Sequence, residues 1–210
     1  MTTTSLSVHD SLGVRPAASF ADPRSIAALL ADFDRPWFFC GGWAIDLFLG
    51  RVTRSHEDVD VALLRSDQLV MQAYLRERGW TLEKAVDGQL ITWAEGKFIA
   101  LPMHTISCRH ATYKPDFLVL LFNEADAGSF FFRRDHSITL PRERMALRSL
   151  VGLPILAPEI VLLYKAKSSD QPEYSADFAA AIPTLGADGR AWLRAGLSKL
   201  HPGHRWLEQL

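Results

Sequence analysis

The short apolar run Pro36 to Cys40 stops at Gly41-Gly42, passes into a helix-like stretch from Trp43 to Leu49 closed by Gly50, and is followed by Asp58-Val59-Asp60-Val61. This order of strand, glycine pair, helix and acid-bearing strand constrains the fold more than any other feature of the chain. A helix entered from two glycines leaves its first N–H groups unsatisfied, with no side chain to keep a ligand away. Such a helix start suits an anion, phosphate above all. Residues two apart on a strand project from one face, so Asp58 and Asp60 set two carboxylates side by side. Paired carboxylates repel unless a positive charge lies between them, and a hard divalent cation takes oxygen ligands of this kind. A phosphate cradle beside a metal-binding acid pair describes phosphoryl transfer from a nucleotide.

The rest of the chain reads as a sheet followed by helices. Pro23 to Ala31 has helical periodicity, with Asp22 placed as an N-cap. Ser66 starts a helix that ends before Gly79. Thr81 to Ala85, Leu90 to Ala94 and Phe98 to Leu101 read as short strands, Phe117 to Phe122 as the most apolar strand, and Phe130 to Arg133 as a further one. Pro158 opens a helical region that continues through Ala176 to Ala181 and Arg190 to Leu200. The expected fold class is α/β (α+β), a mixed β-sheet flanked by helices with a small C-terminal helical part. The expected organisation is a flexible tail over 1–20, a catalytic domain over 21–149 and a helical region over 150–210 that forms part of an acceptor cleft.

Composition narrows the partners. Lys and Arg number 23 against 24 acidic residues, which does not describe a chain built to coat nucleic acid. No apolar run approaches the roughly 20 residues of a membrane span, and no signal-peptide pattern opens the sequence. The two cysteines, Cys40 and Cys108, form no Cys-x-x-Cys pair, which fits a reducing, cytoplasmic setting. His104, Cys108 and His110 share one segment, but they lack a fourth zinc ligand at a recognisable spacing and read as ordinary strand residues.

GGWAIDLFLGRVTRSHEDVDV, residues 41–61, resembles the nucleotidyltransferase superfamily of DNA polymerase β, and more closely the aminoglycoside 2″-nucleotidyltransferases and lincosamide nucleotidyltransferases. A looser similarity runs through PDFLVLLFNEAD, FFRRD and PEIVLLYKAK. The resemblance implies a nucleotidyltransferase fold and an enzyme that moves a nucleoside monophosphate, AMP from ATP, onto a hydroxyl of a small molecule with release of pyrophosphate. It implies that Gly41 and Gly42 hold the triphosphate and that Asp58 and Asp60 bind two Mg²⁺ ions. It further implies a third acid on a later strand, as metal ligand and general base. Asp116 is the best match, with Glu124 and Asp126 as alternatives in another strand register. Arg54 and His56 flank the acid pair, where they neutralise phosphate or position the loop. Lys165 contacts the nucleotide or the acids, or else favours a helix C-terminus.

The acceptor and the nucleobase are not fixed by these residues. A polycationic aminoglycoside requires acids in the cleft beyond the metal ligands, and Glu57, Glu124, Asp126, Asp170, Glu173 and Asp177 are the candidates. Two other readings stand beside the small-molecule transferase. One is a non-catalytic nucleotide-binding protein of the same fold; the other is an enzyme that modifies a protein or tRNA.

Overall fold

The computed structural model describes residues 19–210, so nearly all of the expected N-terminal tail lies outside the described residues. In chain order the elements are α1 (Ala21–Leu29), β1 (Trp37–Phe39), α2 (Gly41–Leu49), β2 (Val59–Leu64), α3 (Gln68–Glu77), β3 (Thr81–Val86), β4 (Gln89–Thr92), β5 (Thr105–Arg109), β6 (Phe117–Ala125), β7 (Ser129–Phe131), β8 (Thr139–Pro141), β9 (Ala146–Arg148), β10 (Pro154–Leu156), α4 (Pro158–Ala166), α5 (Pro172–Ala181) and α6 (Ala187–Leu200). One mixed sheet runs β4-β3-β5-β6-β2-β1-β10-β9, and β7 and β8 extend it from β6. The expectation of a mixed sheet flanked by helices is met.

The centre of the sheet follows from the two most apolar strands. β2 and β6 run parallel, in the register Asp60 to Val119 and Leu63 to Phe122. Leu118, Leu120 and Phe122 on one face of β6 are fully enclosed, while the other face, with Val119 buried and Leu121 partly so, borders the cavity described below. β1 pairs antiparallel with β2, Phe39 opposite Val61, and the Cys40 N–H donates to the Asp60 carbonyl at 3.0 Å. That pairing brings the glycine pair onto the first half of β2. Gly50 ends α2 in the left-handed region, φ 68°, where a glycine has no Cβ to strain. α4 and α5 each carry a proline in the first turn, and α2 packs against both.

Several sequence expectations shift for local reasons. Asp22 lies in the first turn of α1 and not at its N-cap; it makes no capping hydrogen bond there, although its charge still suits the helix N-terminus. Phe98–Leu101 forms no strand. The Ile99 N–H donates to Gln68 Oε1, and its carbonyl accepts from Arg65 Nη1 and Gln68 Nε2, so side chains take the bonds that a neighbouring strand would supply. A boundary at residue 150 would cut the β9–β10 hairpin, because β10 pairs with β1 through Phe39 and Ile155. The C-terminal part therefore supplies a strand to the sheet before it supplies helices.

Candidate functional site

The Asp46-x₇-Arg54-x-His56 stretch is a set of braces. Asp46, on α2 and fully buried, accepts from Thr53 N at 3.1 Å, Thr53 Oγ1 at 2.5 Å and His56 Nε2 at 2.6 Å. These bonds fold the loop between α2 and β2 back onto the helix. Trp43 covers it: its ring lies 4.1 Å from that of His56, and its Nε1–H donates to the Asp58 carbonyl at 3.1 Å. Arg54 reaches the other way, giving Asp177 on α5 two hydrogen bonds, from Nε at 3.0 Å and Nη2 at 3.1 Å. Asp177 is also met by Lys165 Nζ at 2.9 Å, so one buried carboxylate joins the loop, α4 and α5.

The glycine pair is required by what it touches. Gly41 adopts φ +62°, and a Cβ there would overlap the carboxylate of Asp60. A Cβ on Gly42 would lie 2.6 Å from the His56 ring and nearer still to the Arg54 guanidinium. The helix start is thus pressed against the acid on one side and against the braced cation and imidazole on the other.

Asp58 precedes β2 and Asp60 lies in it, and neither forms an ion pair among the described residues. Burial, and then the charge of Asp58, push the Asp60 carboxyl up to about 7, against the opposing pull of Lys165 and Arg54. Like charges at close quarters in a buried setting account for the direction. A divalent cation would reverse both effects, so the pair fits one such ion. Among the described residues, none of the three acids expected beside this pair shares its position. Asp60 is in register with Val119, and strand alternation places Phe117, Val119, Leu121 and Asn123 on the Asp60 face of β6. Asp116 precedes β6, falls on the opposite parity, and holds Lys114 Nζ at 2.5 Å with its side chain 53% exposed. Of the alternatives, Glu124 pairs with Arg65 at 2.5 Å, and Asp126 accepts from the N–H groups of Gly128 and Ser129 in a turn. No group of three or more His, Cys, Asp or Glu side chains forms a metal-binding cluster among the described residues. His104 and Cys108 are accordingly apart in role: Cys108 is a buried thiol, and His104 faces the cavity described next.

A cavity of about 290 Å³ opens over Gly41 and Asp60. α4 contributes Val161, Tyr164 and Lys165 to its wall, and Tyr174 of α5 adds an aromatic ring 4.1 Å from Lys165 Nζ. Across from them lie His104, Leu121, Asn123, Arg133 and Arg134. The structure therefore brings Gly41, Asp60 and Lys165 into one cavity, holds Gly42, Arg54, His56 and Asp58 immediately beside it, and leaves Asp116 outside. Arg133, Arg134, Tyr164 and Tyr174 were not singled out from the sequence. The FFRRD segment was read only as the end of a strand and as part of a resemblance, because nothing local says which cavity a post-strand arginine will reach.

This sheet, with a glycine-started helix laid over an acid-bearing strand, defines the nucleotidyltransferase fold. Residues 24–118 match the family model of the aminoglycoside-2″-adenylyltransferases. No curated protein matches the chain. Among solved structures, the solution structure of the antibiotic-resistance factor ANT(2″)-Ia aligns with a TM-score of 0.57 at 17% identity, covering 84% of this chain and 89% of that one. A crystal structure of ANT(2″)-Ia with adenylyl-2″-tobramycin gives 0.57 at 18%, over 84% and 95% of the two chains. The lincomycin-bound lincosamide adenylyltransferase LnuA gives 0.56 at 16%, over 79% and 97%. The chain resembles the aminoglycoside and lincosamide nucleotidyltransferases in motif and in fold.

Proposed function

We propose that the protein is a Mg²⁺-dependent nucleotidyltransferase that moves a nucleoside monophosphate, AMP from ATP, onto a hydroxyl of a small molecule and releases pyrophosphate. The observation that carries this reading is the placement of Gly41 directly over the Asp60 carboxylate at the floor of a cavity walled by α4 and α5. The N–H groups at the start of α2 are oriented to receive the triphosphate. Asp58 and Asp60 would hold the cation, which when bound neutralises charge on the α-phosphate and lowers the pKa of the attacking hydroxyl. Lys165, fixed by Asp177, adds positive charge beside the dyad, while Tyr164 and Tyr174 narrow the access of water. The likeness to antibiotic adenylyltransferases supports the reaction class.

A second reading, a nucleotide-binding protein without transferase activity, is favoured by one observation: the Asp60 face of β6 carries no carboxylate. One assay separates the two. Purified protein with Mg²⁺, each nucleoside triphosphate and a panel of hydroxyl acceptors, aminoglycosides and lincosamides included, should release pyrophosphate in an acceptor-dependent manner. Asp60→Asn should lower that rate by about 100-fold or more. Tight nucleotide binding with no pyrophosphate released by any acceptor would favour the second reading, and full activity in Asp60→Asn would remove the first.

A further inference from the structure

The cavity has an electrically lopsided wall. Of its lining residues only Asp60 is acidic, while Arg133, Arg134 and Lys165 are basic. Lys165 is matched by Asp177, but neither Arg133 nor Arg134 forms an ion pair among the described residues. They follow β7 and flank one ring of α4: their guanidinium carbons lie 5.4 and 5.3 Å from the centre of Tyr164. Arg134 Nη1 donates to the Tyr164 carbonyl at 2.8 Å, and the Arg133 N–H donates to the Tyr164 hydroxyl at 3.3 Å. Tyr164 is itself stacked on Phe132 at 4.3 Å, so the segment is anchored on both sides. Burial lowers both guanidinium pKa values, with repulsion from Arg65 acting on Arg133 and from Arg133 acting on Arg134. Arg133 is partly buried and Arg134 exposed, and with Glu124 already paired to Arg65 both guanidinium groups are open to an anion that enters the cavity.

Sheet order decides which substrate that anion belongs to. The start of α2 follows β1, on one side of β2, whereas Asn123, Arg133 and Arg134 belong to β6 and the segment after β7, on the other side. Under the transferase reading, pyrophosphate departs toward the start of α2. Attack on phosphorus runs roughly in line with departure, so the acceptor approaches from the β6 side. The acids that an aminoglycoside would need are elsewhere: Glu124 is held by Arg65, Asp126 is committed to a turn, Asp177 is doubly paired, and Glu57, Asp170 and Glu173 do not line the cavity.

We infer that the acceptor is an anionic hydroxyl compound whose carboxylate or phosphate is bound by Arg133 and Arg134. This inference rests on the nucleotidyltransferase reading for the direction of approach. The clean perturbation is Arg133→Gln, because the Arg133 side chain makes no hydrogen bond among the described residues and its loss should not disturb folding. Arg134→Gln is the companion.

Calorimetry on the full chain should first measure a nonhydrolysable ATP analogue with Mg²⁺, then, at saturating analogue, glycerol 3-phosphate, 3-hydroxybutyrate and tobramycin. The expected result is that at least one anionic probe binds more tightly than tobramycin. Arg133→Gln should weaken that probe by about tenfold or more while changing the analogue's affinity by less than about threefold. A tenfold loss of analogue affinity in Arg133→Gln would assign the arginines to the triphosphate tail and overturn the inference. Tighter binding of tobramycin, or no binding of either anion, would overturn it too. Failure of the analogue to bind wild type would instead count against the transferase reading. Arginine-dependent binding of the anionic probes would still uphold the anion site in that case.

Discussion

Removing the charge of Asp60 should stabilise the metal-free protein while destroying its chemistry. In the folded chain, burial and Asp58 raise the Asp60 carboxyl from 3.8 to about 7. An unfolded chain returns it to the ordinary carboxylate range, near 3.9. Between these values the native state binds more protons than the unfolded one. The stability associated with protonated Asp60 is therefore fully present below about pH 4 and is lost as pH rises through about 7. A rise of about three units corresponds to ~4 kcal/mol, an upper bound here because part of Asp60 stays open to the cavity. Asp60→Asn has no such charge to lose. In EDTA, urea denaturation should show the variant more stable than wild type by about 2–4 kcal/mol at pH 8 and indistinguishable from it near pH 4. Adding Mg²⁺ at pH 8 should raise wild type and leave the variant nearly unchanged, since only wild type keeps both ligands. A difference that does not vary with pH, or a variant less stable than wild type at pH 8, would refute the account of two crowded carboxylates awaiting a cation.

Asp177→Asn should cost about 3 kcal/mol in urea denaturation, because Arg54 and Lys165 both lose the buried carboxylate between them; a loss under about 1 kcal/mol would mean that solvent already screens the trio. Gly42→Val should cost about 2 kcal/mol or more, because its side chain meets Arg54 and His56, each tethered to a buried aspartate. An unchanged urea midpoint in that variant, with nucleotide binding lost, would instead support a direct role of Gly42 against the phosphates.

The residues within 41–61 told most of their own story because their meaning is local. Glycines end a strand and free a helix start, alternation puts Asp58 and Asp60 on one face, and β1 and β2, consecutive strands joined through α2, lie side by side in the sheet. The α/β class, the long central strand β6 and the helices opened by Pro158 were legible for the same reason. Where local pattern was a poor guide, long-range bonds had intervened, as when Gln68 and Arg65 took the backbone of Ile99 out of any strand.

The sequence by itself determined the spacing of the two aspartates, the glycine turn and the run of elements from α1 to α3, since each depends on periodicity or on the conformational freedom of single residues. Tertiary structure alone decided which distant groups share the cavity. Asp116 was excluded because the β2–β6 register sets face by parity, and a register offset of one residue is invisible in a run as uniformly apolar as Phe117–Phe122. Asp177 was drawn from a surface-like acid run into a buried bridge because α5 folds back on α2. Arg133 and Arg134 reached the cavity because β7 pairs with β6 and delivers its following residues onto Tyr164. These are contacts between segments far apart in the chain, and no spacing within any one segment encodes them.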